Sequence, residues 1–211
     1  MVRIISTSLL VLLVGVVVTP LAGPPSEAAA PLPAPGPERP LTVDQEEVVR
    51  SALELLDDGG FELEERPVVS FHADLADCLG NLAYWQVENG VDRIWVCWNH
   101  DDAGVQRIVR TQALVHELAH AWVHAHTSET ARAVFMDVVG SSSWNGADHA
   151  WGDRGVEQAA DLLTWAVLDP AVLFVDFDKA DCAKWAVAYA ALTGRSAPAT
   201  VTGACGATTP G

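Results

Sequence analysis

Apolar residues recur along this chain with two different periods, and the changes of period mark out its elements. Val43, Val48, Val49, Ala52, Leu53, Leu55 and Leu56 fall at helical spacing. Thr42 with Gln45 three residues later has the form of a capping box, and Gly59-Gly60 closes the segment. The period then shortens. Residues 67–72 (Pro-Val-Val-Ser-Phe-His) read as one strand, and residues 84–88 and 91–98 flank Asn89-Gly90, the strongest short-range hairpin signal. The second arm carries Ile94-Trp95-Val96-Cys97-Trp98, apolar on both faces, which predicts cover on both sides.

Helical spacing returns over residues 105–126. This stretch has no Gly or Pro, and Leu114, Leu118, Ala121, Trp122 and Ala125 recur in it, with Asp101 and Asp102 ahead as N-caps. Further helices are predicted over about 129–139, over 152–168 with a stop at Asp169-Pro170, and over 179–192. Residues 140–146 (Gly-Ser-Ser-Ser-Trp-Asn-Gly) make a loop of mostly small and polar residues. The expected class is α+β: a small mixed β-sheet whose hairpin packs on the long helix, followed by a helical C-terminal part. No internal repeat is present.

The ends of the chain differ from its middle. Arg3 followed by an uncharged, mostly apolar run over 4–18 has the form of an export signal within residues 1–30. Extending the run to Ala22 makes an uncleaved membrane anchor the alternative. Residues 31–40, within a Pro/Ala/Gly-rich stretch, are expected to be a linker. The folded domain is expected over 41–195 and a loose tail over 196–211. Cys78, Cys97, Cys182 and Cys205 are even in number with no CxxC pair, which suits disulfides in an exported protein. Pairing Cys78 with Cys97 and Cys182 with Cys205 closes two short local loops. Twenty-eight acidic residues against twelve basic ones give a net charge of −16, which argues against nucleic acid and anionic membrane surfaces.

The chemistry centres on His116-Glu117-Leu118-Ala119-His120. Histidines four apart on a helix lie about one turn from each other, so both imidazoles reach one metal ion. The Glu between them stands where it can take a proton from a metal-bound water. This is the HExxH pattern of zinc metalloproteases. Catalytic zinc takes a third protein ligand, and two residues compete for the place. His126 stands ten residues after His116, but Val123 occupies the position where a Gly would have to turn the chain back. Glu157 opens Glu157-Gln158-Ala159-Ala160-Asp161, in which Glu157 and Asp161 share a helix face. There Glu157 is the expected ligand, and Asp161 the acceptor for the outer N–H of a ligand histidine.

With His116, Glu117, His120, Glu157 and Asp161 in this order, the chain resembles the gluzincin, or thermolysin-like, branch of the zinc metallopeptidases. The likeness covers roughly residues 67–168 and corresponds to a minimal core of that branch. It implies Zn2+, a Glu-activated water, and a mixed sheet whose edge strand aligns an extended peptide or protein substrate. For a donor to the developing oxyanion the candidates are His149, Arg154 and Tyr84, with His149 the first choice because it just precedes the Glu157 helix. The hairpin arm over 91–98 is either the substrate-aligning edge or an interior strand. Two other readings stand beside an exported peptidase: a zinc hydrolase of another amide such as a cell-wall linkage, and a silent zinc-binding interaction domain.

Overall fold

The computed structural model describes residues 40–97, 103–146, 148–168 and 181–202. All of them fall in one compact unit, Pro35–Gly211. The class is α+β, with six helices and one three-stranded mixed sheet among the described residues. The expected export signal, the linker up to residue 39, Trp98, Asp101, Asp102, Asp169, Pro170, Lys179 and Cys205 lie outside the described residues. No helix among the described residues is long and apolar enough to cross a membrane.

The first helix, α1 (Val43–Asp58), begins as its sequence predicts. Gln45 N donates to Thr42 Oγ1 at 3.3 Å, and Thr42 N donates to Gln45 Oε1 at 2.9 Å. Two N–H groups that the first turn leaves unpaired are thereby satisfied. Gly59 caps the far end, and Val48, Ala52 and Leu56 are buried.

The sheet comprises β1 (Val68–His72), β2 (Ala83–Glu88) and β3 (Val91–Cys97), in the order β1-β3-β2. β3 lies parallel to β1, with Val68 opposite Arg93, and antiparallel to β2, with Glu88 opposite Val91. Asn89 (φ 53°) and Gly90 (φ 79°) both sit left-handed, the turn geometry that matches strand twist and that Asn-Gly supplies with least strain. β3 is therefore interior, and β2 is an edge.

The double-sided apolar pattern of β3 has its reason here. Ile94 and Val96 enter the main core, while Trp95 and Cys97 pack with Cys78 on the opposite face, where Tyr84 leans on Trp95. A 3-10 turn, Leu75–Cys78, which the sequence reading did not anticipate, helps cover that second face.

Cys78 and Cys97 form a disulfide across nineteen positions. Closing a loop of this length removes about 3 kcal/mol of unfolded-state entropy in the chain-entropy picture. The double variant Cys78→Ser/Cys97→Ser should therefore melt roughly 6–12 °C lower, at about 2–4 °C per kcal/mol for a domain of this size. An unchanged melting temperature would mean the second face of β3 holds without its staple.

The long helix α2 (Ala103–His126) crosses the sheet and buries Leu114, Val115, Leu118, Ala119, Trp122 and Val123. α3 (Glu129–Val139) follows after Ser128, whose Oγ accepts from Ala131 N at 3.2 Å. α4 (Gly155–Val167) packs against α2 and is buried on nearly every side. Ala119, Ala159 and Ala160 are fully buried, so small side chains keep these two backbones close.

α4 starts later than residue 152, because Trp151–Asp153 form a separate 3-10 turn. Its first N–H groups lack a side-chain cap and go instead to the preceding loop, Gly155 N to Ser143 O and Val156 N to Trp144 O, both at 2.9 Å. Gly155 suits that seam, since a Cβ there would stand 3.0 Å from both Met136 Cγ and Trp144 Cε3.

α5 (Cys182–Thr193) packs on α3, and Cys182 is itself disulfide-bonded. Of the tail expected to be loose over 196–211, residues 196–202 are described. Ala199–Thr202 form a short helix, α6, with Val201 fully buried and Thr200 Oγ1 donating to Ala166 O at 2.8 Å. Neither Val201 nor Thr200 stands out in a Gly/Ala/Thr/Pro composition.

Candidate metal centre

Two turns of α2 and the first turn of α4 build the site. Spacing of four on α2 sets His120 Nε2 3.1 Å from His116 Nε2. α4 brings Glu157 Oε2 to 3.3 Å from His116 Nε2 and 3.1 Å from His120 Nε2. The three atoms form a nearly equilateral triangle. Metal–ligand bonds of about 2.0–2.1 Å in tetrahedral geometry require ligand atoms about 3.3 Å apart, so the triangle has the size of one tetrahedral face.

The contacts are also mutually frustrated. If both imidazoles donate Nε2–H to the shared carboxylate oxygen, the two protons face each other across the His116–His120 contact. A cation bonded to all three atoms removes that conflict. His116, His120 and Glu157 thus form a group able to hold a metal ion.

Neighbouring side chains fix the ligands. Asp161 Oδ1 lies 2.9 Å from His116 Nδ1, so the second carboxylate of α4 holds the outer nitrogen of this imidazole. His120 Nδ1 is buried with no hydrogen-bond partner. Its ring is positioned by stacking instead, with Trp85 of β2 5.5 Å away and 14° from parallel. Trp151 lies in the same way over His116, at 5.6 Å and 30°. Each imidazole therefore carries a tryptophan.

Burial would strip a charge from His116, but hydrogen bonds to Asp161 and Glu157 outweigh it and hold the pKa up at about 10. Burial works to raise Glu157 as well, and the bonds from His116 and His120 hold it down at about 2. The isolated cluster thus gathers positive charge onto imidazole and negative onto carboxylate, a polarity that a bound cation would take over.

Glu117 points to the same region from the next position of α2. It is 9% exposed, and burial, helped by the charge of Glu157, pushes its carboxyl above the usual range. His116, His120 and a hydrogen bond from the Trp85 backbone pull the other way. Glu117 is thus a buried carboxylate of raised basicity beside a group able to hold a metal ion.

The Tyr84 hydroxyl is pushed up by burial and by the charges of Glu117 and Glu157, and its ring lies with Trp95 on the sheet face away from Trp85. The His149 imidazole lies 3.8 Å from Asp148, and its carbonyl accepts from Arg154 Nε and Nη2 at 3.3 Å. No contact joins His149 or Arg154 to the triangle among the described residues. His126 lies apart too: its Nδ1 is 3.0 Å from Trp122 O, and its ring stacks on Trp122 at 4.8 Å.

A cavity of about 210 Å3 opens beside His120, between Trp85 and Trp144. The sequence reading passed over Trp85, Trp151, Arg132 and Trp144. A signal was there for Trp151 alone, an aromatic followed by Gly152 and six residues ahead of Glu157. Comparison of the chain with protein-family models, with curated proteins and with solved structures finds no match.

Proposed function

We propose that the protein is an exported zinc metallopeptidase that hydrolyses peptide bonds with Glu117 as general base. The observation that carries this reading is the 3.1–3.3 Å triangle of His116, His120 and Glu157 with a buried carboxylate of raised basicity next to it. Two imidazoles and one carboxylate are a donor set of catalytic zinc, and a purely structural site has no use for Glu117. Zinc, when bound, lowers the pKa of a water towards neutrality and polarises the scissile carbonyl.

The chain's own residues divide the remaining work. Glu117 takes the proton of the attacking water and delivers it to the leaving amine. Asp161 and the two tryptophans, Trp85 and Trp151, keep the imidazoles from turning. β2 is an edge strand whose Trp85 backbone already meets Glu117, so an extended peptide adding to β2 passes directly over the base. The Cys78–Cys97 disulfide suits a compartment outside the reducing cytosol.

Digestion of a mixed peptide library tests the reading. Purified protein should cleave it, lose activity with a zinc chelator and regain it on adding zinc, while His116→Ala and His120→Ala neither bind zinc nor cleave. Cleavage that persists in chelator and in both variants would remove the metal from the chemistry.

A further inference from the structure

The cavity beside His120 has a composition unlike the rest of the protein. The chain carries 28 acidic residues against 12 basic ones. None of the described residues lining this cavity is a carboxylate, and one of them is Arg132. Trp85, Trp144, Val123 and Val156 supply apolar walls, with Asn145 at an exposed position of the 140–146 loop.

Arg132 is held from two directions. Its Nη2 donates to Val123 O and His124 O, both at 3.2 Å, closing the carbonyl end of α2. Its guanidinium lies 5.2 Å from the Trp144 ring centre. These contacts leave Nε buried without a hydrogen-bond partner. With Nη2 given to the two carbonyls and Nε closed off, Nη1 is the nitrogen left to donate to a carboxylate from the cavity. A volume of about 210 Å3 has room for an acidic group and its stem.

Resting on the peptidase reading, we propose that this cavity is the specificity pocket of the hydrolase and that it selects substrates bearing a carboxylate, bound by Arg132. The stem of that group lies between Trp85 and Trp144, next to the metal-binding His120. The carboxylate comes from an Asp or Glu side chain or from the C-terminus of the substrate, and the two sources separate by experiment. Arg132 is a positioning and specificity residue, since it stands apart from Glu117 and the triangle.

The test is binding, read by calorimetry on the zinc-loaded Glu117→Gln protein. The probes are Glu, Gln and Leu carrying a zinc-directed hydroxamate on an N-acetyl group (HONH–CO–CH2–CO–), each with its α-carboxyl as the free acid and as the amide. Carboxylate-bearing probes should bind about 10–100-fold tighter than their neutral counterparts, the worth of one charge-assisted pair. Tight binding of the Glu amide identifies a side-chain carboxylate; tight binding of the Leu free acid identifies the C-terminus.

Arg132→Gln should abolish the preference while leaving the Gln amide unchanged. Because Arg132 also closes α2, Asn145→Asp serves as a second variant on an exposed loop, and it should weaken the acidic probes alone. Equal affinity for all probes, no binding of any, or a uniform loss across them in both variants would overturn the pocket. Cleavage of the peptide library without acidic preference overturns the pocket and leaves the peptidase reading. A strong carboxylate preference in binding with no peptide cleaved does the reverse.

Discussion

Replacing Glu117 by Gln should lower peptide turnover by about 10²–10⁴-fold while zinc stays bound. The amide has the size and shape of the carboxylate it replaces, and it can still accept the hydrogen bond from the Trp85 backbone. It cannot take a proton from water. The triangle of His116, His120 and Glu157 is untouched, so metal content should match that of the unaltered protein.

Stability gives the variant a second readout. Burial raises the Glu117 pKa, so ionising it costs the folded state free energy. For a carboxyl whose pKa is raised on folding, stability falls as pH rises past its unfolded value. In the metal-free protein Gln removes that cost at neutral pH, and the melting temperature measured in chelator should stay level or rise. Activity lost while stability is kept is the signature of a group retained for chemistry. Full turnover in the variant would leave Glu117 without the role proposed for it.

How far the sequence disclosed this site depends on how each part is encoded. His116, Glu117 and His120 share one helix, where a fixed rise and turn translate spacing into position. Glu157 and Asp161 are legible for the same reason, as a pair four apart on a second helix. Thr42, Gln45 and Asn89-Gly90 were readable because caps and tight turns are made by neighbours in the chain.

What stayed hidden depends on contacts between distant segments. Trp85 is one strand residue among several aromatic ones until β2 proves to be the edge beside α2. Sequence alone left the 91–98 arm as edge or interior, because its apolar faces do not say which neighbour covers each. Arg132 reads as an ordinary helix cation until the ends of α2 and α3 meet. His149 stood out by nearness in sequence to Glu157, yet the 3-10 turn of Trp151–Asp153 intervenes, and it is Trp151 that reaches His116. Val201 was concealed in a tail of small residues, since one buried side chain produces no period.

Glu157→Ala should abolish measurable zinc binding, whereas His126→Ala should change zinc affinity less than twofold. α2 runs unbroken to His126, so ten residues at about 1.5 Å each carry that histidine roughly 15 Å along the axis from His116. Zinc–nitrogen bonds are about 2 Å, and no imidazole spans the difference. His126 is also engaged elsewhere, with Nδ1 at Trp122 O and its ring on Trp122. Glu157 Oε2 stands within 3.3 Å of both His116 Nε2 and His120 Nε2 and makes the third corner of the triangle.

Removing Glu157 deletes one donor in three and leaves the buried His120 facing the partly buried His116. The loss should exceed the ~10–100-fold that follows removal of an outer hydrogen-bond partner. Asp161→Asn provides that benchmark, because it weakens the hold on His116 Nδ1 and keeps all three ligands. Chelator competition at fixed pH orders the variants, with Glu157→Ala weakest, Asp161→Asn between, and His126→Ala level with the unaltered protein. Zinc held at native strength by Glu157→Ala and lost by His126→Ala would move the third ligand to α2 and require that helix to break beyond His120.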